Sequence, residues 1–342
     1  MRMCVVLLFV LSFFTIAAGS SAAPVPLLRM PGGNRITCEG SWSGHLQGIC
    51  SDGKNRIYWV FDSHLVQTDL KGKLINATML KREAGFNTHG GSPCYANGMI
   101  YVPFCGGTFN TEGCAPYNFI QAYDEKDLSL TESFPVPEVV GGAGAVTCAD
   151  GKFFVTGGRV YGTPGNAVYE YSEKFRPVRT HTLPFNSWKG IQTLTFDGKN
   201  FWFGCYGTKH RVWRADREFK VNGCFAFDGS YGMIPVAGNR LLVASAETRK
   251  SGNFRAGGKA EVKDVRKLQQ IIYLLELEDK GNVRFEGKVY KVAELPAVLM
   301  KYRRKRFVIS CPANLPAEKL IAVIVMLNHG ITSDFDVELV RK

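Results

Sequence analysis

Short apolar runs separated by polar turns recur along the chain and predict β-strands. In each recurrence a strand of small residues leads into an Asp-Gly turn or its equivalent and then into an aromatic-rich strand, as in GAGAVTCADGKFFVTG. A second pair of strands around a polar turn follows, as in AVYEYSEKFRPV. This order returns five times, with turn glycines at Gly53, Gly98, Gly151, Gly198 and Gly238.

The period of the repeat predicts the fold class. Successive turn glycines are 45, 53, 47 and 40 residues apart, and a four-stranded propeller blade requires roughly 40–50 residues. We therefore predict an all-β propeller with five recognisable blades within residues 24–286. Residues 24–43 either add a strand that closes the ring or supply part of a degenerate sixth blade. Within the fifth unit, the basic residues 247–268 are predicted to form an exposed loop, and IIYLLELEDKGNV to form the second strand pair.

The pattern changes after about residue 287. Residues 294–303 predict a short helix, residues 306–310 a strand, residues 315–329 a helix that Gly330 ends, and residues 335–340 a strand. Together with the strand that precedes them, the order is β-α-β-α-β. This order predicts a small α/β domain over residues 287–342 that follows the propeller.

Two resemblances accompany these patterns. The repeat over about residues 40–286 resembles secreted bacterial propellers of the class that includes the strictosidine-synthase-like and YncE-like folds, which implies a fold and no catalytic residues. The phrases GKVYKVAELPAVL, RFVISC, LPAEKLIAVIVMLNHGI and DFDVELV resemble the periplasmic domain of the ExbD/TolR biopolymer-transport family. That family couples a proton motor to transport through a transmembrane helix with an acidic residue. Residues 5–18, the apolar N-terminal segment, hold no Asp or Glu, so only the domain's self-association is carried over.

The N-terminus and the charge predict where the chain works. Residues 5–18 are apolar, follow Arg2 and precede Ser21-Ala22-Ala23, which is typical of a secretory signal peptide over residues 1–23. We expect a secreted or periplasmic protein with no stable membrane span after cleavage; a retained anchor is the alternative. The net charge of +12 favours acidic partners. No nucleic-acid-binding motif accompanies this charge, so a nucleic-acid partner is not expected.

The cysteines predict one disulfide bond and no metal site. The chain has 10 cysteines, and Cys4 would leave with the signal peptide. Cys105 and Cys114 bracket a loop rich in Gly, Asn and Thr and are the best disulfide candidates. No CxxC pair exists and the cysteines do not cluster with histidines, so neither a structural zinc site nor another cofactor is predicted.

Candidate ligand-binding residues follow from aligning the repeats on their turn glycines. Propeller ligands usually sit where the innermost strands begin, and positions six and eight before each turn glycine face the same way along a strand. This alignment predicts a polar ring with two further residues at its rim: His45, Gln47, Ser92 and Gln192, then His89 and Lys189. The ring lacks the carboxylates that a calcium site or a glycosidase requires.

The leading functional hypothesis is an exported, non-enzymatic binding scaffold. Glutamine amides both donate and accept hydrogen bonds, so Gln47 and Gln192 suit a polar small molecule, a glycan or a peptide. Residues 287–342 would add a surface for a protein partner or a second copy. One alternative is a metal-dependent hydrolase or lyase that uses His45 and His89. Another is an accessory component of an ExbD/TolR-like transport system.

Overall fold

The structure is a computed structural model. It describes residues 27–30, 32–81, 89–107, 109–111, 117–158, 166–185, 187, 189–205, 211–249, 255–268, 270, 272–278, 282–299, 306–312, 314–321, 323 and 337–341. The signal peptide predicted at residues 1–23 lies outside these residues. Within the described ranges, no helix has the length and apolar character needed to cross a membrane.

The strands are numbered in chain order, starting with those of the N-terminal half. The first two are β1 (Arg35–Thr37) and β2 (Trp42–Ser43). The first repeat holds β3 (Leu46–Ser51), β4 (Arg56–Phe61), β5 (His64–Asp69) and β6 (Leu74–Met79). The second holds β7 (His89–Gly90), β8 (Cys94–Ala96), β9 (Met99–Cys105), β10 (Asn118–Asp124) and β11 (Leu130–Pro135). The third holds β12 (Ala143–Ala149), β13 (Lys152–Gly157), β14 (Asn166–Tyr171) and β15 (Pro177–Leu183).

The C-terminal half continues this series and adds short helices. The fourth repeat holds β16 (Ile191–Phe196), β17 (Phe201–Cys205), β18 (Arg211–Ala215) and β19 (Val221–Phe225). The fifth holds β20 (Met233–Val236), β21 (Arg240–Arg249) and β22 (Arg255–Asp264). The remaining strands are β23 (Ile272–Leu277), β24 (Asn282–Phe285), β25 (Lys288–Lys291), β26 (Arg306–Cys311) and β27 (Val337–Arg341). The described residues also form two 3-10 turns, Val265–Lys267 and Val292–Glu294. They further form the short helix α1 (Leu295–Leu299) and one α-helical turn at residues 317–321.

Each repeat folds into its own antiparallel sheet. The first, third and fourth sheets have the orders β3-β4-β5-β6, β12-β13-β14-β15 and β16-β17-β18-β19. In the second sheet the order is β11-β10-β9, and both β7 and β8 pair with β9. The fifth sheet has the order β1-β22-β21-β20, and β2 also pairs with β22. The N-terminal strand therefore completes the sheet of the last repeat.

The first strands of these five sheets form a closed ring. Neighbours in the ring are β3, β8, β12, β16 and β20, and β20 contacts β3 again. The residues that join them are, in ring order, Gly48 with Ser92, Ser92 with Gly144, Gly144 with Ile191, Thr193 with Gly229, and Gly232 with Ile49. Sheets arranged radially around a central channel define a β-propeller. The prediction of a β-propeller is therefore confirmed.

The small residues of the first strands allow this close approach. A Cβ built on Gly48 would overlap the Cα of Ser92, and one built on Gly232 would lie 2.6 Å from the backbone nitrogen of Ile49. Ser92 also pairs as a parallel bridge with Ala145 of the next first strand. Glycine in a strand interior often marks such a close backbone approach. The small-residue strand in the sequence repeat is therefore a consequence of crowding at the axis.

Residues 28–43 pair with the sheet of the last repeat. The N–H of Leu28 donates to the carbonyl of Pro235 (3.1 Å), and β1 pairs antiparallel with residues 259–261 of β22. Ile36 of β1 is 2% exposed and packs in one cluster with Trp59, Leu242 and Ala260. β1 is therefore an added strand at the outer edge of the last repeat's sheet.

The prediction of an exposed loop at residues 247–268 is wrong. Arg240–Arg249 and Arg255–Asp264 form a long antiparallel hairpin whose register runs from Arg240 opposite Asp264 to Arg249 opposite Arg255. Gly258 faces the indole of Trp59, because a Cβ there would lie 2.8 Å from the ring. Glycine in this basic segment therefore admits a neighbouring tryptophan, and exposed Lys259 and Glu261 flank the buried Ala260.

A sixth, mixed sheet follows, in the order β25-β24-β23-β26-β27. In it, β23, β26 and β27 are parallel neighbours, whereas β23, β24 and β25 are antiparallel. Assignment of IIYLLELEDKGNV to the fifth blade is wrong, because its two strands belong to this sheet. Apolar side chains of β23 and β24 share one buried cluster with those of α1 and β26: Leu275, Leu277, Val283, Phe285, Leu295, Leu299, Phe307 and Ile309.

Candidate functional site

The central channel is narrow at the end where the first strands reach their turns. A cavity of about 50 Å³ lies there, enough for one or two water molecules and far below the roughly 300 Å³ at which small-molecule sites begin. Residues from all five first strands line it, among them Ile49, Tyr95, Thr147, Phe196 and Ile234. The cavity at this end of the channel is therefore small for a ligand site.

The other end of the ring holds the residues that the sequence alignment singled out. Gln47 and Gln192 are half-buried, whereas His45 and Lys189 are exposed. His89 pairs through its backbone with Cys105, and its side chain lies outside the described part of the structure. The structure thus places Gln47, Gln192, His45 and Lys189 where solvent reaches them.

Ser92 lies differently from the other ring candidates. It is 2% exposed, its N–H donates to the carbonyl of Gly144 (2.8 Å), and its carbonyl accepts from the N–H of Val146 (3.1 Å). Ser92 therefore links two first strands, and a ligand would reach its hydroxyl only if these strands moved.

Asp62, which sequence reasoning missed, stands beside these residues. Its N–H donates to the carbonyl of His45 (3.0 Å), and its carbonyl accepts from the N–H of Gly90 (3.3 Å). Gly44 is equally close, since a Cβ there would overlap the Asp62 carboxylate. One aspartate at the end of β4 therefore joins the starts of the first and second repeats. The available signal was an acidic residue directly after the aromatic strand RIYWVF.

The Gln47 amide and the Asp62 carboxylate form a fixed pair. Gln47 Nε2 donates to Asp62 Oδ1 at 2.5 Å, which orients the amide so that its Oε1 acceptor points away from Asp62. An ionised carboxylate is an acceptor-only group with two oxygens. This pair is therefore rich in acceptors, and its chemistry suits ligand hydroxyl, amide or ammonium donors.

Thiols near the channel are unsuited to nucleophilic chemistry. Cys50 and Cys94 are buried, and desolvation raises the pKa of each well above its usual value; Coulombic repulsion from Asp52 adds to the effect at Cys50. Burial raises the pKa of Cys148 to about 11. Because the thiolate is the nucleophile and metal ligand, these side chains act as small neutral groups in the packing at neutral pH.

The described residues bear on the metal and disulfide predictions only in part. No group of three or more His, Cys, Asp or Glu side chains that could hold a metal ion occurs among the described residues. Cys105 is disulfide-bonded. Cys114 lies outside the described residues, so the pairing of these two cysteines stays a prediction.

Comparisons with known proteins give distant structural likeness only. No protein-family model matches the chain, and no curated protein matches it. The chain is similar to Sqt1 of Saccharomyces cerevisiae at 12% identity and a TM-score of 0.33, covering 67% of this chain and 59% of that one. It is also similar to a Bacteroides caccae protein of unknown function (11%, TM-score 0.40, 62% and 82% covered). A third similar structure is the Dos1 propeller (14%, TM-score 0.35, 66% and 59% covered).

Proposed function

We propose that this chain is an exported, non-enzymatic binding scaffold that takes a polar ligand at the open end of its channel. The observation that carries the proposal is the hydrogen bond of 2.5 Å between Gln47 and Asp62. It presets an amide and a carboxylate at the start of the ring, beside the exposed His45. Preset polar groups cost less entropy when a ligand binds than groups that must first be ordered.

The chemistry of the pair favours ligands with several donors. The amide oxygen of Gln47 and the carboxylate of Asp62 both accept, so hydroxyls of a glycan or amide and amino groups of a peptide are complementary. Lys189, exposed at the rim, would serve an acceptor on the same ligand. Entry from this side is supported by the small volume at the opposite end of the channel, about 50 Å³, which is far below that of ordinary ligand sites.

We infer five blades for the scaffold, with β1 as the outer strand of the last blade. Support comes from the ring in which β20 contacts β3 again. We further infer that the small α/β unit begins near β23, earlier than the predicted boundary at residue 287, because β23 and β24 belong to its sheet. A partner or self-association role for residues 287–342 stays a prediction.

Thermal unfolding of the purified chain with a panel of defined oligosaccharides and short peptides tests the binding role. A ligand at 100 times its Kd stabilises the folded chain by about 2.7 kcal/mol, so a binder raises the unfolding midpoint. The rise should be lost in Gln47→Ala and in Asp62→Asn. Asp216→Asn, in the turn after β18, is the matched control and should keep it.

Two outcomes would contradict the proposal. One is that no member of the panel raises the midpoint of the wild-type chain. The other is that a rise survives both substitutions, which would place the ligand elsewhere on the molecule.

A further inference from the structure

A second and larger cavity lies between the fourth and fifth sheets. Its volume is about 320 Å³, within the range of small-molecule sites. The turns that follow β16 and β20 line it. These turns lie at one end of the first strands, and Gln47 and Asp62 lie at the other end. We call it the basic cavity, after the cationic side chains that line it together with Asp197 and Trp202: Lys199, Arg214, Arg240 and Arg266.

Positive charge is in excess in the basic cavity. Its lining holds four cationic side chains and one carboxylate, that of Asp197. Asp197 already accepts hydrogen bonds from the N–H of Lys199 (2.8 Å), the N–H of Asn200 (2.6 Å) and Nε1 of Trp202 (2.7 Å). Both of its oxygens are therefore engaged within the turn, although its charge also acts on Arg214.

Arg214 is fixed in place by its neighbours. Its Nε donates to Asn222 Oδ1 (2.6 Å), and a terminal nitrogen donates to the Asn222 carbonyl (3.1 Å). The guanidinium carbon lies 5.3 Å from the ring centroids of both Trp202 and Phe225. Burial lowers the pKa of Arg214, and Asp197 partly offsets that effect. A partly desolvated guanidinium of this kind gains from an added anion.

Two further guanidinium groups are held on the other side of the cavity. Arg240 donates from Nε to the carbonyl of Ala237 (2.9 Å). Arg266 donates from Nε and a terminal nitrogen to the two oxygens of Asp264 (3.0 and 2.8 Å). Both contacts hold a planar guanidinium in place. Asp264 already occupies one edge of the Arg266 group and offsets part of its charge, so an anion would meet this group through its other N–H donors. Because three arginines are oriented in advance, an anion would pay little entropy to order them.

We propose that the basic cavity binds a small organic anion that carries phosphate or carboxylate groups. The volume admits more than a bare ion, and the cationic groups come from strands and turns of two sheets. The net charge of +12 would attract such a ligand over long range.

Calorimetric titration of the purified chain tests the proposal with three probes of similar size. Glucose 6-phosphate carries a phosphate, citrate carries carboxylates, and glucose is the uncharged control. We expect binding of at least one of the anions and none of glucose. The anion that binds more tightly identifies the class, and its affinity should fall as salt is added, since exposed charges are screened.

Three variants locate the site. Arg240→Gln and Arg266→Gln should each weaken anion binding about tenfold, the usual cost of one charge-assisted hydrogen bond. Arg176→Gln, in the exposed turn between β14 and β15, removes the same charge away from the cavity and should leave the affinity unchanged. Thermal unfolding confirms that each variant is folded. Arg266 is 68% exposed, so its variant keeps the test valid if Arg240→Gln does not fold.

Three results would overturn the inference. Binding of glucose as tight as that of the anions would show that charge is not recognised. Equal weakening by Arg176→Gln would show attraction to the whole surface instead of a site. Absence of heat with both anions at millimolar concentration would show that the cavity holds no such ligand.

Discussion

Glu170 provides a sharp test of the packing between the third and fourth sheets. Its side chain is 2% exposed and accepts from Lys152 Nζ, Arg179 Nε and His181 Nε2, each at 2.7 Å. Burial raises the pKa of Glu170, but these three hydrogen bonds outweigh it and lower the pKa from 4.5 to about 2. His181 also packs against Phe219 of the next sheet, with ring centroids 4.4 Å apart.

The magnitude and its pH dependence follow from this pKa. A fall from 4.5 to about 2 corresponds to about 3 kcal/mol of stability. Because the folded-state pKa is the lower one, this stability is fully present above pH 4.5 and is lost as the pH falls towards 2. At pH 3 about 2 kcal/mol of it should already be gone.

Urea unfolding of wild type and Glu170→Gln, followed by tryptophan fluorescence, measures the effect. We expect the variant to be less stable by about 3 kcal/mol at pH 7, since the neutral amide loses the charge-assisted hydrogen bonds that lower the pKa of Glu170. The difference should shrink to about 1 kcal/mol at pH 3. Glu173→Gln, an exposed residue two positions after Tyr171, is the control and should be neutral. A difference that stays constant between pH 7 and 3 would refute the assigned role of the Glu170 charge.

Two further predictions concern the ring and its closure. Gly48→Ala should lower stability by about 3 kcal/mol, because its Cβ would overlap the Ser92 backbone. Gly198→Ala, whose Cβ meets nothing within 4 Å, should cost only about 1 kcal/mol, the penalty of its positive φ of 91°. Equal losses in urea unfolding would refute the crowding at the axis. Ile36→Ala in β1 should cost about 3 kcal/mol, since Ile36 is 2% exposed. Val178→Ala, at 51% exposure, should change the unfolding midpoint little, and a neutral Ile36→Ala would show that β1 does not hold the propeller closed.

Local patterns were enough to predict the propeller. Asp150-Gly151 and Asn97-Gly98 lie at turns between adjacent strands, and Asp150 and Asn97 adopt positive φ of 52° and 51°, as tight hairpin turns require. The aromatic strand that follows packs against neighbouring sheets. These features depend on residues close in sequence, so they are readable without the tertiary structure.

The candidate site was predicted only in part. Gln47 lies at the start of the ring as the alignment predicts. Its partner Asp62 is missing from the alignment, because it follows the end of the next strand and not an aligned position. Ser92 holds the aligned position but is buried between strands. Repeat alignment finds equivalent backbone positions, whereas exposure and partners depend on which sheets pack together.

By itself, the sequence determined the repeating unit, its turns and the small residues of the first strands, since these follow from local conformational preferences. Only the tertiary structure decided that β1 pairs with β22, that β23 joins β26 instead of the fifth sheet, and that four cationic side chains surround one cavity. Each of these joins segments that are distant along the chain. Such contacts depend on complementary packing surfaces and charges, and hydrophobic periodicity leaves their pairing open.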